Sequence, residues 1–399
     1  MPTTDGPAAA PPKRALVLGA GNIGYAVAFD LSRQRATEVT VVDADERRLS
    51  RLANLPRVAA RRADANDVSS LRTLASAHDV VVGALPSALG YRSLEALIGA
   101  CPGVVDISFM PEDALALDTA ARRAGTAVVV DCGVAPGLSH MMVGDAARRL
   151  EECRAVKILV GGLPAGRGGP FDYKAGFSPY DVIEEYVRPA RVVENCEVVV
   201  REGLSEVETI EVPGIGTLEA FLTDGLRTLT RTVRAISMCE KTLRYPGHAA
   251  AMRALREAGF FSTEAIAIGD RRIRPLDVTA ALLFPHWTFG GDEADVTILK
   301  VLVDGTTGTD RLVCSWELID RYDPATRLHS MARTTAFPAT IVAALLANGA
   351  LPAGVHAPEA LGRLGLLDDV LRQLAGRGVH CKAETRRHGP ADAGAHDGA

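Results

Sequence analysis

The chain has 399 residues, 47% hydrophobic and 23% charged, with a formal net charge of −5. That composition describes a globular protein of two or three domains, and the absence of a basic excess or a binding motif argues against nucleic acid as a partner. The seven cysteines, Cys101, Cys132, Cys153, Cys196, Cys239, Cys314 and Cys381, show no C-x-x-C or other metal-ligand spacing. No metal site is expected, and scattered thiols in odd number suit a reducing cytoplasm.

Residues 1–13 are mostly Ala, Pro, Gly and Thr and read as a disordered arm, with no secretory signal. From Arg14 an apolar run ends in Gly19-Ala20-Gly21-Asn22-Ile23-Gly24. A run of this kind reads as a parallel strand buried on both faces. The glycines fit G-x-G-x-x-G at a strand-to-helix turn. The first allows the turn, the second lets a pyrophosphate approach backbone, and the third lets helix and strand pack closely. Asn22 and Ile23 open the helix, whose free N–H groups favour phosphate. Asp43 ends the next apolar run, 19 residues after Gly24. An acid there would bind a ribose 2′-hydroxyl and favours NAD. Arg47 and Arg48 lie just beyond and could accept the extra phosphate of NADP.

Alternation continues through helical Glu46–Asn54, a strand leading toward Asp64 on the adenine side, and helical Val68–Ala77. A strand from Asp79 follows, running through Ala84-Leu85 to its end at Pro86. Then come helical Tyr91–Ala100, a strand Gly103–Ser108, helical Asp113–Ala124 capped by Gly125, and a strand Thr126–Asp131. This is the pattern of a parallel sheet covered by helices on both faces. Ligands of such sheets sit beyond the carboxyl ends of the strands. One edge therefore collects Gly19–Gly24, Asp43, Leu85-Pro86-Ser87, Asp106 and Asp131.

The pattern changes after Pro136. A helix is expected from Pro136 to about Glu151, then a strand ending at Gly161-Gly162-Leu163-Pro164 and a long loop carrying Tyr173, Lys174, Phe177 and Ser178. Asp295–Val303 and Arg311–Ile319 alternate as antiparallel strands, with Gly305–Gly308 as their hairpin loop. The expected organisation is a Rossmann domain over 14–133, an inserted α+β domain over 134–328, a helical segment over 329–384 returning to the first domain, and a disordered tail over 385–399. No apolar run in the sequence suggests a membrane span.

Taken together, these stretches resemble the saccharopine dehydrogenase-like family, in particular its lysine 6-dehydrogenases and saccharopine reductases. The resemblance rests on Gly19–Gly24, Asp131-Cys132-Gly133-Val134-Ala135-Pro136-Gly137, Gly161–Pro164 and Tyr173-Lys174 with Phe177-Ser178-Pro179. Lys241-Thr242-Leu243-Arg244-Tyr245-Pro246-Gly247 and Arg333–Pro338 complete it. It spans roughly residues 14 to 380. It implies a bilobal enzyme that moves hydride between a nicotinamide cofactor and a nitrogen-bearing carbon of an amino acid, with Ala84, Leu85 and Pro86 beside the cofactor. It is also consistent with a homodimer or higher homo-oligomer. A lysine 6-dehydrogenase would oxidise the ε-carbon of lysine; the enzyme alternatives are a saccharopine reductase, acting on the secondary amine joining lysine to glutamate, or a dehydrogenase for a carboxylated polyamine. A protein that binds NAD as a sensor or assembly subunit, without turnover, is the alternative of another class.

Such chemistry needs a proton acceptor near neutral pH, a cation for the substrate carboxylate and an anion for its ammonium. Asp106, Lys174 and His140 are the candidate catalytic groups. For Asp106 and Asp131 the alternative is a cap on the following turn, for Lys174 a solvated lysine, and for His140 a structural histidine. Arg244 is the candidate carboxylate clamp, with Tyr173, Phe177 and Asp131 as further substrate contacts.

Overall fold

A computed structural model describes residues 13–291 and 293–389. The chain forms two compact units. One ends at Val130 and takes up Ala339–Val355 again; the other comprises Asp131–Pro338 and the chain from His356 onward.

The first unit is built on a seven-stranded sheet. Its first six strands are β1 (Lys13–Leu18), β2 (Thr37–Asp43), β3 (Val58–Arg62), β4 (Val80–Gly83), β5 (Gly103–Asp106) and β6 (Ala127–Val129). Their spatial order is β6-β5-β4-β1-β2-β3, all parallel, and the strand Gly354–His356 joins the far side of β6. The order reverses at β1, which puts a ligand crevice at its carboxyl end. Ala15, Leu16, Val17 and Leu18 are all fully buried, as a strand covered on both faces requires. Leu16 and Leu18 pack with Val81, Val104, Leu94 and Leu97 on one side of the sheet. The helix Val68–Ala75 starts where the Asp67 carboxylate accepts from the N–H groups of Ser69 and Ser70, each at 3.1 Å. Gly125, at φ 70°, ends the helix before β6.

The second unit is organised by a mixed sheet. Its strands are β7 (Glu152–Pro164), β8 (Ala190–Glu194), β9 (Glu197–Arg201), β10 (Glu208–Val212), β11 (Gly216–Leu222) and β12 (Ser237–Arg244). A small hairpin, β13 (Ile266–Ile268) and β14 (Arg271–Ile273), stands apart, and β15 (Asp295–Thr307) and β16 (Asp310–Arg321) follow. The order is β10-β11-β12-β7-β15-β16 and then the strand Cys381–His388; β8 branches from β12 and carries β9. Only β12 and β7 run parallel among these pairings.

Several expectations shift. Lys13 opens β1, so the described chain enters the sheet one residue early, while 1–12 lie outside the described residues. The helix after Gly137 covers only Leu138–Ala147. Gly305–Thr307 belong to β15, and the hairpin turns at Gly308, whose φ is 58°. The supposed tail pairs with β16 as far as His388; 390–399 lie outside the described residues. The helix Ser330–Ala347, with a mean hydropathy of 1.3, is long and apolar enough to cross a membrane, but 78% of it is buried in the fold, as in a core helix.

The largest correction concerns the returning segment. Only Ala339–Val355 joins the first unit, where Thr340 donates to Asp30 at 2.6 Å. The helix Pro358–Arg363 instead packs on Leu138–Ala147 through two glycines. A Cβ on Gly144 would lie 2.1 Å from the Glu359 carbonyl oxygen, and one on Gly362 would lie 2.0 Å from that of Met141. Neither backbone can yield to a methyl group, so Gly144→Ala should lower stability by about 1–3 kcal/mol. Urea unfolding of the two proteins measures this.

Candidate functional site

At the carboxyl end of β1 the chain turns at Gly19, whose φ is 94°. A Cβ on Gly19 would stand 2.5 Å from the Ala84 carbonyl oxygen, and one on Gly24 would stand 1.9 Å from that of Gly19. Gly21 is different: nothing lies within 4 Å of a Cβ built there. Two glycines are therefore needed for packing, and the third leaves an open side at the start of the helix Asn22–Arg33. That is the cradle a pyrophosphate requires, so these residues fit a dinucleotide.

Asp43 closes the turn from the side. Its carboxylate accepts from the Ala20 N–H at 2.7 Å and from the Asp45 N–H at 2.8 Å. A carboxylate has about four acceptor positions, so two remain for ribose hydroxyls. Arg47 pairs with Asp45, at 3.2 and 3.1 Å, on the exposed surface, and Arg48 lies 3.8 Å from Asp43. Ala84, Leu85 and Pro86 follow β4 on the same edge, and Ala84 donates to the Leu18 carbonyl at 2.8 Å. Asp64 holds its own turn through Asn66, and those two hydrogen bonds keep its carboxyl below the usual range. Asp106, at the end of β5, is buried and takes the capping alternative: one oxygen accepts from the Ser108 N–H at 2.9 Å and from the Ser108 hydroxyl.

In the second unit the loop after β7 leads into an aromatic cluster. Tyr173 is buried between Trp287, edge-on with centroids 5.2 Å apart, and His248, also at 5.2 Å. The Arg244 guanidinium, at the end of β12, lies 4.5 Å over the Tyr173 ring and donates to Glu185 at 2.8 Å. Its Nε is buried with no hydrogen-bond partner. Burial raises the Glu185 carboxyl even against the neighbouring guanidinium. His248 donates from Nδ1 to the Phe171 carbonyl at 3.1 Å, and its Nε2 accepts from the Tyr186 hydroxyl at 2.9 Å. Burial first, then the Arg244 charge, pushes this imidazole down to about 3, so it is neutral. Phe177 packs half-buried against the same cluster.

The structure thus brings Tyr173, Phe177 and Arg244 together and adds Glu185, Tyr186, His248 and Trp287, which the sequence did not single out. Glu185 and Tyr186 lie on the helix Pro179–Val187 directly after the Phe177-Ser178-Pro179 motif. His248 follows the Tyr245-Pro246-Gly247 turn. Position next to a motif was the available signal.

Three expectations need correction. Lys174 is not a sequestered amine; it donates to Glu293 at 2.5 Å and to the Thr288 carbonyl at 3.1 Å. That bond holds the Glu293 carboxyl below its ordinary range. His140 is fully buried in its helix, with its ring nitrogens at 3.0 Å from the Ser139 hydroxyl and 3.1 Å from the Leu226 carbonyl. Burial lowers its pKa, so it is a neutral core histidine. Asp131, at φ 51°, faces Arg227 through two 3.2 Å hydrogen bonds and is buried with it. Its carboxylate serves an internal ion pair. Among the described residues no group of His, Cys, Asp or Glu is arranged to hold a metal.

A family model described as the saccharopine dehydrogenase C-terminal domain matches residues 133–379, and one described as the saccharopine dehydrogenase NADP binding domain matches residues 15–129. The chain belongs to the saccharopine dehydrogenase family. This is a family of NAD(P)-dependent oxidoreductases acting on C–N bonds of amino acids, and its nucleotide-binding domain is the first unit described above. Saccharopine dehydrogenase (NADP(+), L-glutamate-forming) of Schizosaccharomyces pombe is 26% identical over 266 residues, covering 63% of this chain and 58% of that protein. Mitochondrial alpha-aminoadipic semialdehyde synthase of Mus musculus is 28% identical over 275 residues, covering 63% of this chain and 29% of that protein. The chain thus spans 58% and 29% of the length of these two relatives. The apo saccharopine dehydrogenase (L-Glu forming) of Saccharomyces cerevisiae shares the fold, with a TM-score of 0.75 and 19% identity over 94% of this chain and 100% of that one.

One buried acid supplies a test of the second unit. Glu240, in β12, accepts from the Thr223 hydroxyl at 2.5 Å and the Gly225 N–H at 3.1 Å, and burial pushes its carboxyl up to about 8. A raised folded value means that its contribution to stability is complete below the unfolded value of 4.5 and is lost as pH rises through 8. Glu240→Gln should flatten the fall of melting temperature across that window; an unchanged slope would assign it to other groups.

Proposed function

We propose that this protein is an NAD-dependent lysine 6-dehydrogenase. It would oxidise the ε-amine carbon of L-lysine to the 6-semialdehyde, which cyclises to piperideine-6-carboxylate, with release of ammonia. NAD, held by Gly19, Gly21, Asn22, Ile23, Gly24 and Asp43, would supply the hydride acceptor. The preference for NAD over NADP is supported by the Asp43 carboxylate, which would repel a 2′-phosphate.

The observation that carries the choice of substrate is charge balance. The three buried arginines of the second unit each face an acid: Arg227 faces Asp131, Arg244 faces Glu185, and Arg333 faces Asp320. Internally balanced cations favour a substrate with net positive charge, such as lysine, over saccharopine with its three carboxylates. Within this reading Arg244 and Tyr173 bind the amino-acid head group, with Glu185 supplying the anion for its ammonium and Phe177 covering its aliphatic chain. The seven cysteines are free thiols, which suits a cytoplasmic enzyme.

Saccharopine is the second reading, favoured by the names of the curated relatives. The purified chain, incubated with NAD and L-lysine, should form NADH; formation only with saccharopine would replace the first reading by the second. Cofactor binding without turnover on any amine would make the protein a sensor. Asp43→Asn keeps an acceptor for the turn but removes the charge. It should shift the ratio of kcat/KM between NAD and NADP toward NADP by about tenfold, or roughly 1.4 kcal/mol.

A further inference from the structure

The strand β9 is an unpaired edge of unusual composition. Its five residues are Glu197-Val198-Val199-Val200-Arg201, and among the described residues its partner is β8 alone. Val198 is 50% exposed and Val200 62%, among the most exposed large apolar side chains described. Natural proteins blunt such edges or use them to pair with another strand.

The hydrogen-bonding pattern of this edge follows from the turn before it. Glu194 and Glu197 flank a two-residue turn, Asn195-Cys196, with φ 49° and 67°. Such a hairpin closes with a hydrogen-bonded pair at its flanks. The N–H and C=O groups of Glu197, Val199 and Arg201 therefore point toward β8, and those of Val198 and Val200 point away from it.

We propose that β9 pairs antiparallel with β9 of a second copy of this chain, about a twofold axis at Val199. The strand is self-complementary under that operation, with an acid at one end, a base at the other and three valines between. Glu197 falls opposite Arg201 of the copy, and Val198 falls opposite Val200. The two outward-facing residues of each strand meet the two of the other, which completes four backbone hydrogen bonds. Sliding the register by two residues leaves only one such residue opposed and unpairs both charges. A parallel arrangement would set Glu197 beside Glu197 and Arg201 beside Arg201. Arg201 keeps its bond to Glu194 within the chain, at 3.0 Å, and lies 3.9 Å from Glu206, while its side chain remains 42% exposed toward Glu197 of the copy. Charge complementarity, valine pairing and the free hydrogen-bonding groups thus select one register.

The test is made on the full chain and does not depend on turnover, so it stands apart from the proposed activity. Light scattering at micromolar concentration should show a dimer. Facing residues at the axis form a non-hydrogen-bonded pair, whose Cα separation of about 4.5 Å suits a disulfide. Val199→Cys should therefore cross-link to completion on mild oxidation. Val198→Cys alone should not, and a mixture of Val198→Cys with Val200→Cys should. The native Cys196 lies opposite Glu202 in this register, so the unmodified chain should stay uncrosslinked. Glu197→Arg should weaken the dimer at least tenfold, and Glu197→Arg combined with Arg201→Glu should restore it. A monomer, a dimer in which Val199→Cys fails to cross-link, or cross-linking through Cys196 would overturn the proposal.

Discussion

The first unit depends on the absence of two methyl groups. The helix Asn22–Arg33 can lie against β1 only because Gly24 leaves room for the Gly19 carbonyl, and β1 can lie beside the end of β4 only because Gly19 leaves room for that of Ala84. The same close approach turns the first N–H groups of the helix toward the end of the sheet. Asp43 then fixes the turn by accepting from Ala20, so the acid expected to read the ribose is also part of the scaffold that holds the phosphates. Packing and ligand recognition share one set of atoms here, and a change in either disturbs both.

The second unit solves a different problem, the burial of charge. Arg244, Arg227 and Arg333 are each almost wholly enclosed, and each faces a carboxylate. Desolvating such pairs costs about several kcal/mol per ion unless good hydrogen bonds return it. The cost is met by a dense surround: Tyr173 beneath Arg244, and the carbonyls of Arg321, Arg377 and Gly378 around Arg333. The atoms left over are informative. The orphaned Nε of Arg244 lies in the cluster to which the Tyr173–Lys174 loop leads. A buried donor without a partner is where a bound group would gain most.

The sheet of the first unit was legible because apolar runs, turn glycines and Asp43 recur in a fixed order, and each has a local cause. The second unit was legible only in part. Alternation in Asp295–Val303 marked β15 but could not show that it continues through Gly305, because a glycine there accommodates the Glu152 carbonyl, whose oxygen would lie 2.2 Å from a Cβ. Pro338 marked the start of an apolar helix, but the helix begins at Ser330, so the division of the chain near Pro338 falls inside one continuous helix with no loop to show it. The roles of Lys174, His140 and Asp131 depend on Glu293, Leu226 and Arg227, each about 90 residues or more away in sequence. Residue type marked them as chemical; only distant partners decide what the chemistry is.

The strand Gly354–His356 closes the first sheet beside β6, yet the whole of Asp131–Pro338 is synthesised between them. During translation the dinucleotide-binding sheet must therefore wait with β6 as an open flank. The nascent chain gains its last strand only after the ribosome has passed most of the second unit. A ribosome stalled before Gly354 would hold a chain whose glycine turn is complete but whose sheet still lacks its final strand.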